Sequence, residues 1–266
     1  LAARELSRDL SDVLVLEASD RIGGRVQEVC GLVSWPVQAG PEFIHGGKNI
    51  LARITEEEMK CRMREMEWPD HIYIGREKRM LTADDQDKDI AHVDKLFTES
   101  VGEEKEPPPG KDINGEDWLR SKPGVNSKMV AFAEACYAND FGASLKQLGL
   151  REMITENRSW DSGDTYLVPD RSWKEMITYL AADLAVQTSW PVASVRYSPG
   201  GVLLTSAQGA MIAAKRVILT PSLKVLQAGK IRFEPALPDW KLAAIHRLKM
   251  SNAIKVATHA ALRMPI

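Results

Sequence analysis

Residues 16–26 read LEASDRIGGRV, placing an acid, two adjacent glycines and an arginine within a few positions of one another. Glu17 closes a short aliphatic, β-branched run, VLVLEA at residues 13–18. A carboxylate at the end of the second strand of a dinucleotide-binding βαβ unit accepts hydrogen bonds from ribose hydroxyls. Gly23 and Gly24 give the backbone access to unusual conformations or close approach, and Arg25 offers a planar fork of donors suited to pyrophosphate oxygens. Alone, Glu17 is a strand-end carboxylate and the glycine pair an ordinary turn; together they form a coherent nucleotide site.

These residues need elements to hold them. Residues 1–10 (LAARELSRDL) carry apolar side chains at close to a helical period until Ser11-Asp12 breaks it, and residues 13–18 then read as a buried parallel strand. Residues 20–47 are glycine-rich loop around short extended pieces. Residues 50–67 fit a helix, with Ile50, Leu51, Ile54, Met59, Met63 and Met66 as its apolar positions. From 82 to 125 the chain becomes charged and includes Pro107-Pro108-Pro109-Gly110, predicting a helix over 90–100 followed by a mobile excursion. Residues 128–150 return to apolar content, with helix and a turn at 139–142. The pattern predicts a helix over 172–186, with Asp170 or Ser172 as its N-cap. Strands are expected at 192–197, 201–206 and 216–220, the first two joined as a hairpin through Pro199-Gly200-Gly201. A short helix at 241–248 and a strand near 254–258 complete the pattern.

Composition narrows the function classes. The 266 residues are 44% hydrophobic and 27% charged, an ordinary globular balance, and the net charge of −2 provides no field for capturing a nucleic acid. Cys30, Cys61 and Cys136 are far apart and form no CxxC pair, so no metal or disulfide framework is expected. That usage fits a reducing compartment, cytoplasm or peroxisome. No apolar run approaches the roughly 20 residues that span a bilayer, and the chain reads as soluble.

The segment Glu17, Ala18, Arg21, Gly23, Gly24, Arg25 resembles the E-A-x-x-R-x-G-G-R stretch of the flavin-containing amine oxidases, which include monoamine oxidases, polyamine oxidases and lysine-specific histone demethylases. QAGPEFIHGG at 38–47 is similar to that family's L-G-A-E-F-I-H-G stretch beneath the flavin. RVILTPSLKVLQAGKIRFEPALPDW, at 216–240, resembles its V-I-V-T-x-P-L-x-V-L-x-x-x-x-I-x-F-x-P-x-L-P segment. The middle, from about 48 to 171, matches only faintly, and Asp170-Arg171 stands where relatives often have Gly-Gly.

The resemblance implies FAD as cofactor, with Glu17, Ala18, Gly24 and Arg25 at its adenosine and pyrophosphate parts and the Val192 backbone at the adenine. Gly40, Pro41, Glu42 and Phe43 would approach the flavin, and His45 would face the substrate cavity, the alternative being a loop histidine satisfied by backbone. Lys255, in LKMSNAIKV, would hold a water beside flavin N5; its alternative is a solvent-facing lysine.

The implied fold is α/β: a Rossmann-like FAD-binding domain from residues 1–48 and 186–230, and an α+β substrate domain from 49–185, with the charged excursion at 82–125, and from 231 onward. The family's glycine-rich turn and first strand are expected to precede Leu1, and its C-terminal flavin motif to follow Ile266, so the FAD-binding domain is expected to be incomplete. The implied activity is oxidation of a small-molecule amine, polyamine-like, to an imine and then an aldehyde, with O2 as the second substrate and H2O2 as product. Two other classes remain: a truncated, non-catalytic amine-oxidase-like fragment, and a histone lysine demethylase-like oxidase, whose long helical tower the 82–125 excursion is too short to form.

Overall fold

A computed structural model describes residues 1–66, 72–75, 77–82, 85, 87–251 and 253–257. Helices and sheets are mixed along the chain, and the buried side chains gather in three clusters.

The first cluster is helical and lies within residues 93–154. Its helices start where short polar side chains satisfy the free N–H groups of a first turn. Asp87 accepts from the amides of Asp89 and Ile90, Asn114 from Asp117, and Asn126 from Lys128 and Met129. Helix Lys88–Lys95 runs on through wider turns to Glu103, so the expected helix over 90–100 is present and longer. The stretch after 100 differs from expectation: it contains the helix Gly115–Arg120, and residues 102–107 are tied to helix Leu150–Ser159 by Arg151 and Arg158. Trp118 and Leu119 are fully buried, with Phe97 edge-on to Trp118 at 5.4 Å and stacked on Tyr137 at 4.4 Å. Trp118→Ala is expected to cost about 3–5 kcal/mol of stability, read from urea unfolding; an unchanged midpoint would contradict a core centred on this ring.

The second cluster lies between helix Trp173–Ala181 and a three-stranded antiparallel sheet in the order Ile44–His45, Tyr166–Pro169, Met63–Glu65. Ser172, one of the two expected N-caps, forms a capping box with Glu175 at the start of that helix. The helix expected over 50–67 ends early: Ile50–Arg53 continues through one wider turn to Glu58, Lys60 adopts a left-handed backbone at φ 55°, and Met63 then enters a strand.

The third cluster underlies a four-stranded sheet in the order Met211–Ala214, Gly201–Ser206, Val192–Ser198, Arg232–Glu234. The first two pairings are antiparallel and the last parallel. The hairpin through Pro199-Gly200-Gly201 is as expected. The strand predicted at 216–220 forms no ladder among the described residues; Met211–Ala214 takes the place beside Gly201–Ser206 because it follows directly by a tight turn at Gly209.

Further elements near the site differ from the expected ones. The helix predicted over 172–186 stops at Ala181, because Ala182 leaves helical geometry (φ −49°, ψ −124°) and Ala185–Gln187 pairs in parallel with Leu14–Leu16. Only those three residues of the 13–18 run form strand, and Leu14 is 44% exposed rather than buried. The first helix is likewise shorter than 1–10, spanning Ala2–Leu6. Residues 254–257 form no ladder, with Ile254 89% and Val256 73% exposed, and position 258 lies outside the described residues. No helix among the described residues is long and apolar enough to cross a membrane.

Candidate cofactor and active site

The parallel pairing of Leu14–Leu16 with Ala185–Gln187 brings two distant segments together at Glu17. The Glu17 amide donates to Gln187 O at 2.9 Å, the Trp190 amide to Glu17 O at 2.9 Å, and the Ser189 amide to Ser19 O at 2.6 Å. Trp190 is buried, and two residues later Val192 opens its strand, so the segment that carries Val192 departs from beside Glu17. Ser19 holds one carboxylate oxygen of Glu17 through its amide at 2.8 Å and its hydroxyl at 2.7 Å. The other oxygen has no protein partner among the described residues. Ala18 lies exposed beside it.

The loop that follows is held from within. Arg21 donates to Gly24 O at 2.7 Å, Val26 O at 3.1 Å and Ile22 O at 3.3 Å, a fork of donors matched to converging carbonyls. The sequence places Arg21 in the motif; its work as a clamp on the loop appears only in the structure. Gly23 and Gly24 have φ of 103° and 52°, backbone that side chains other than glycine's rarely adopt. A Cβ on Gly24 would meet nothing within 4 Å, so its face is open. Arg25 is exposed, and its guanidinium has no partner among the described residues. An unclaimed carboxylate oxygen, an open glycine face and an unpaired guanidinium fit the ribose and pyrophosphate of a dinucleotide in donor and acceptor type.

A hairpin, Glu28–Val29 with Val37–Gln38, returns the chain to this loop, and the Ala39 amide donates to Gln27 O at 2.9 Å. Gly40 is then pressed against Arg25: a Cβ there would lie 2.1 Å from the Arg25 carbonyl oxygen. Pro41 and Phe43 are half-buried and Glu42 is exposed. Lys255, over 200 positions away, donates from Nζ to Gly40 O at 2.9 Å and to Glu42 Oε2 at 3.1 Å.

Beyond Glu42 the strand alternation turns Ile44 into the second core, and Phe43 and His45 share the opposite face. His45 is exposed and sits across from Tyr166 in the ladder, with ring centroids 4.8 Å apart; Phe43 meets Tyr166 edge-on at 5.9 Å. The surrounding protein desolvates Asp140 and pushes its carboxyl above the usual range, while the nearby His45 pulls the other way. Burial, then the charges of Asp140 and Asp164, raise the Tyr166 phenol. The faces of such aromatic rings can hold a cation. Tyr166 and Asp140 were not singled out by sequence; the apolar alternation of YLVP is the one signal for Tyr166, and Asp140 has none. No hydrogen bond or ion pair joins His45 to Lys255 among the described residues.

Comparison with known proteins accords with this geometry. The profile of the flavin containing amine oxidoreductases matches residues 1–261. Polyamine oxidase 6 of Oryza sativa subsp. japonica is 27% identical over 93% of this chain and 55% of its own length. Lysine-specific histone demethylase 1B of Mus musculus is 28% identical over 96% of this chain and 32% of its own. The chain thus spans about half, or less, of the curated relatives it matches. Among solved structures, putrescine oxidase bound to putrescine superposes with a TM-score of 0.76 at 15% identity, covering 94% of this chain and 61% of that one. Cyclohexylamine oxidase from Brevibacterium oxydans IH-35A gives 0.71 at 21% identity, covering 92% and 60%. A match over nearly the whole chain, on a fold shared with these oxidases, shows that this chain belongs to the flavin containing amine oxidoreductases, a family of FAD-bearing oxidoreductases.

Proposed function

We propose that the protein binds FAD along the line from Glu17 to Lys255 and oxidises a cationic, polyamine-like amine to an imine, which hydrolyses to an aldehyde, with O2 reduced to H2O2. The observation that carries this reading is the convergence of Lys255 on Gly40 and Glu42, one strand step from the aromatic corner of Phe43, His45 and Tyr166. The naming of rice and maize relatives as polyamine oxidases supports the substrate class.

In this reading residues 1–48 and 186–230 form the FAD-binding part, and 49–185 with 231–266 the substrate part. When bound, FAD supplies the acceptor for the hydride equivalent lost from the amine α-carbon. The free Glu17 oxygen accepts from ribose hydroxyls, Ala18 and the Val192 backbone border the adenosine, and Gly24 and Arg25 meet the pyrophosphate. Gly40, Pro41, Glu42 and Phe43 line the flavin, Lys255 orients a water there, and His45, Tyr166 and Asp140 draw in and orient the amine cation.

The test is anaerobic mixing of the flavin-loaded protein with putrescine, spermidine and spermine. The visible flavin band is expected to bleach, and peroxide to appear on admitting air; no bleaching by any amine in a broader panel would contradict the reading. Glu17→Ala removes hydrogen bonds to a charged group worth about 1.5–3 kcal/mol, so FAD affinity should weaken by roughly tenfold to 10²-fold in a fluorescence titration. An unchanged Kd would remove Glu17 from the ribose site.

A further inference from the structure

We infer that Glu42 is a positioning residue for Lys255, its carboxylate and the Gly40 carbonyl forming a two-point cradle that aims the ammonium at the flavin-facing strand; this rests on the function proposed above. Both acceptors lie within three residues of one another, just before strand Ile44–His45, and both take a hydrogen bond from the same nitrogen, at 2.9 and 3.1 Å. Lys255 itself is carried by a segment with little other support. Residues 253–257 form no ladder, and its neighbours Ile254 and Val256 stand in solvent. Packing therefore does not fix where Lys255 points; the cradle does.

Stability is not what the contact provides. The Glu42 side chain is 52% exposed and that of Lys255 35%, and an ion pair so open to water adds little to folding. What it does supply is direction. An ammonium has three donors on a flexible stem, and two acceptors fixed on one backbone stretch take up two of them and leave the third for a further acceptor, such as a water. The carbonyl alone is a single acceptor about which the stem swings; the carboxylate removes that freedom.

The proposal is tested with Glu42→Gln and Glu42→Asp, using two readouts. In flavin-free protein, limited acylation of lysines followed by peptide mass spectrometry is expected to show Lys255 labelled several-fold faster in Glu42→Gln, other lysines unchanged, and Glu42→Asp intermediate. In flavin-loaded protein, Glu42→Gln is expected to lower kcat for amine-dependent oxygen uptake by up to roughly 10²-fold, the cost of an ångström-scale misplacement, with KM little changed and partial recovery in Glu42→Asp. Unchanged Lys255 labelling would overturn the cradle. Faster labelling with unaltered kcat, in a protein that Lys255→Met does impair, would overturn its positioning role. Should Lys255→Met itself turn over normally, the part assigned to Lys255 under the proposed function fails, and the positioning inference falls with it.

Discussion

Lys255→Met is expected to slow oxygen-dependent turnover of amine by about 10²-fold, the order of effect that misplacing a reacting group has, while FAD remains bound. Methionine preserves the length and apolar stem of lysine but has no N–H. Its side chain therefore cannot donate to Gly40 O or Glu42, nor to the water proposed beside the flavin. Because the contacts proposed to hold FAD come from Glu17, Gly24, Arg25 and the extended stretch 40–43, retention should be nearly unaffected. Stopped-flow reoxidation of the reduced protein by O2 separates the two effects. A normal rate would take Lys255 out of the chemistry; a colourless variant would make it a binding residue instead.

The second large effect is expected at Gly40. An alanine Cβ at this position would sit 2.1 Å from the carbonyl oxygen of Arg25, 3.2 Å from its carbonyl carbon and 3.3 Å from the Gln27 amide nitrogen, all backbone atoms that cannot swing aside. The stretch around Gly40 and the 23–25 loop must separate, at a cost of about 1–3 kcal/mol in stability typical of overpacking. That separation also parts the two stretches proposed to face FAD. Flavin retention should therefore fall further than stability does. Gly24→Ala is the contrast: its Cβ meets nothing within 4 Å, so only the left-handed backbone is penalised, by about 1–2 kcal/mol. Equilibrium dialysis against FAD with parallel urea unfolding distinguishes them, and a Gly40→Ala protein that binds FAD normally would show that the loop and the Gly40 stretch need not touch.

What could be read from sequence was local. The Glu17 to Arg25 loop was legible because left-handed glycines and a strand-end acid announce their backbone needs within ten residues. Helix Lys88–Lys95 was legible because its apolar face repeats at a helical period, and hairpin Val192–Ser198 with Gly201–Ser206 because its turn residues sit between alternating strands. The parallel strand Ala185–Gln187 was not, since its partner lies about 170 positions away and Leu184 continues the helical spacing of Leu180. Residues 216–220 mislead in the opposite direction: VILT has strand composition, but a strand needs a partner, and the described residues supply none. At the site, Lys255 was singled out through family resemblance; its spacing says nothing of Gly40. Tyr166 becomes a site residue only when the 166–169 strand pairs with Ile44–His45, and Asp140 only when the fold brings it near enough to His45 to act on it electrostatically.

Four segments, two near the start of the chain and two beyond position 185, are proposed to form one FAD-binding line. Amide hydrogen exchange of the protein with and without FAD tests it most directly. Slowed exchange is expected at 17–25, 38–45 and 187–192 and around Lys255 together, with helix Leu150–Ser159 unchanged. Protection absent from these segments, or confined to one of them, would contradict it.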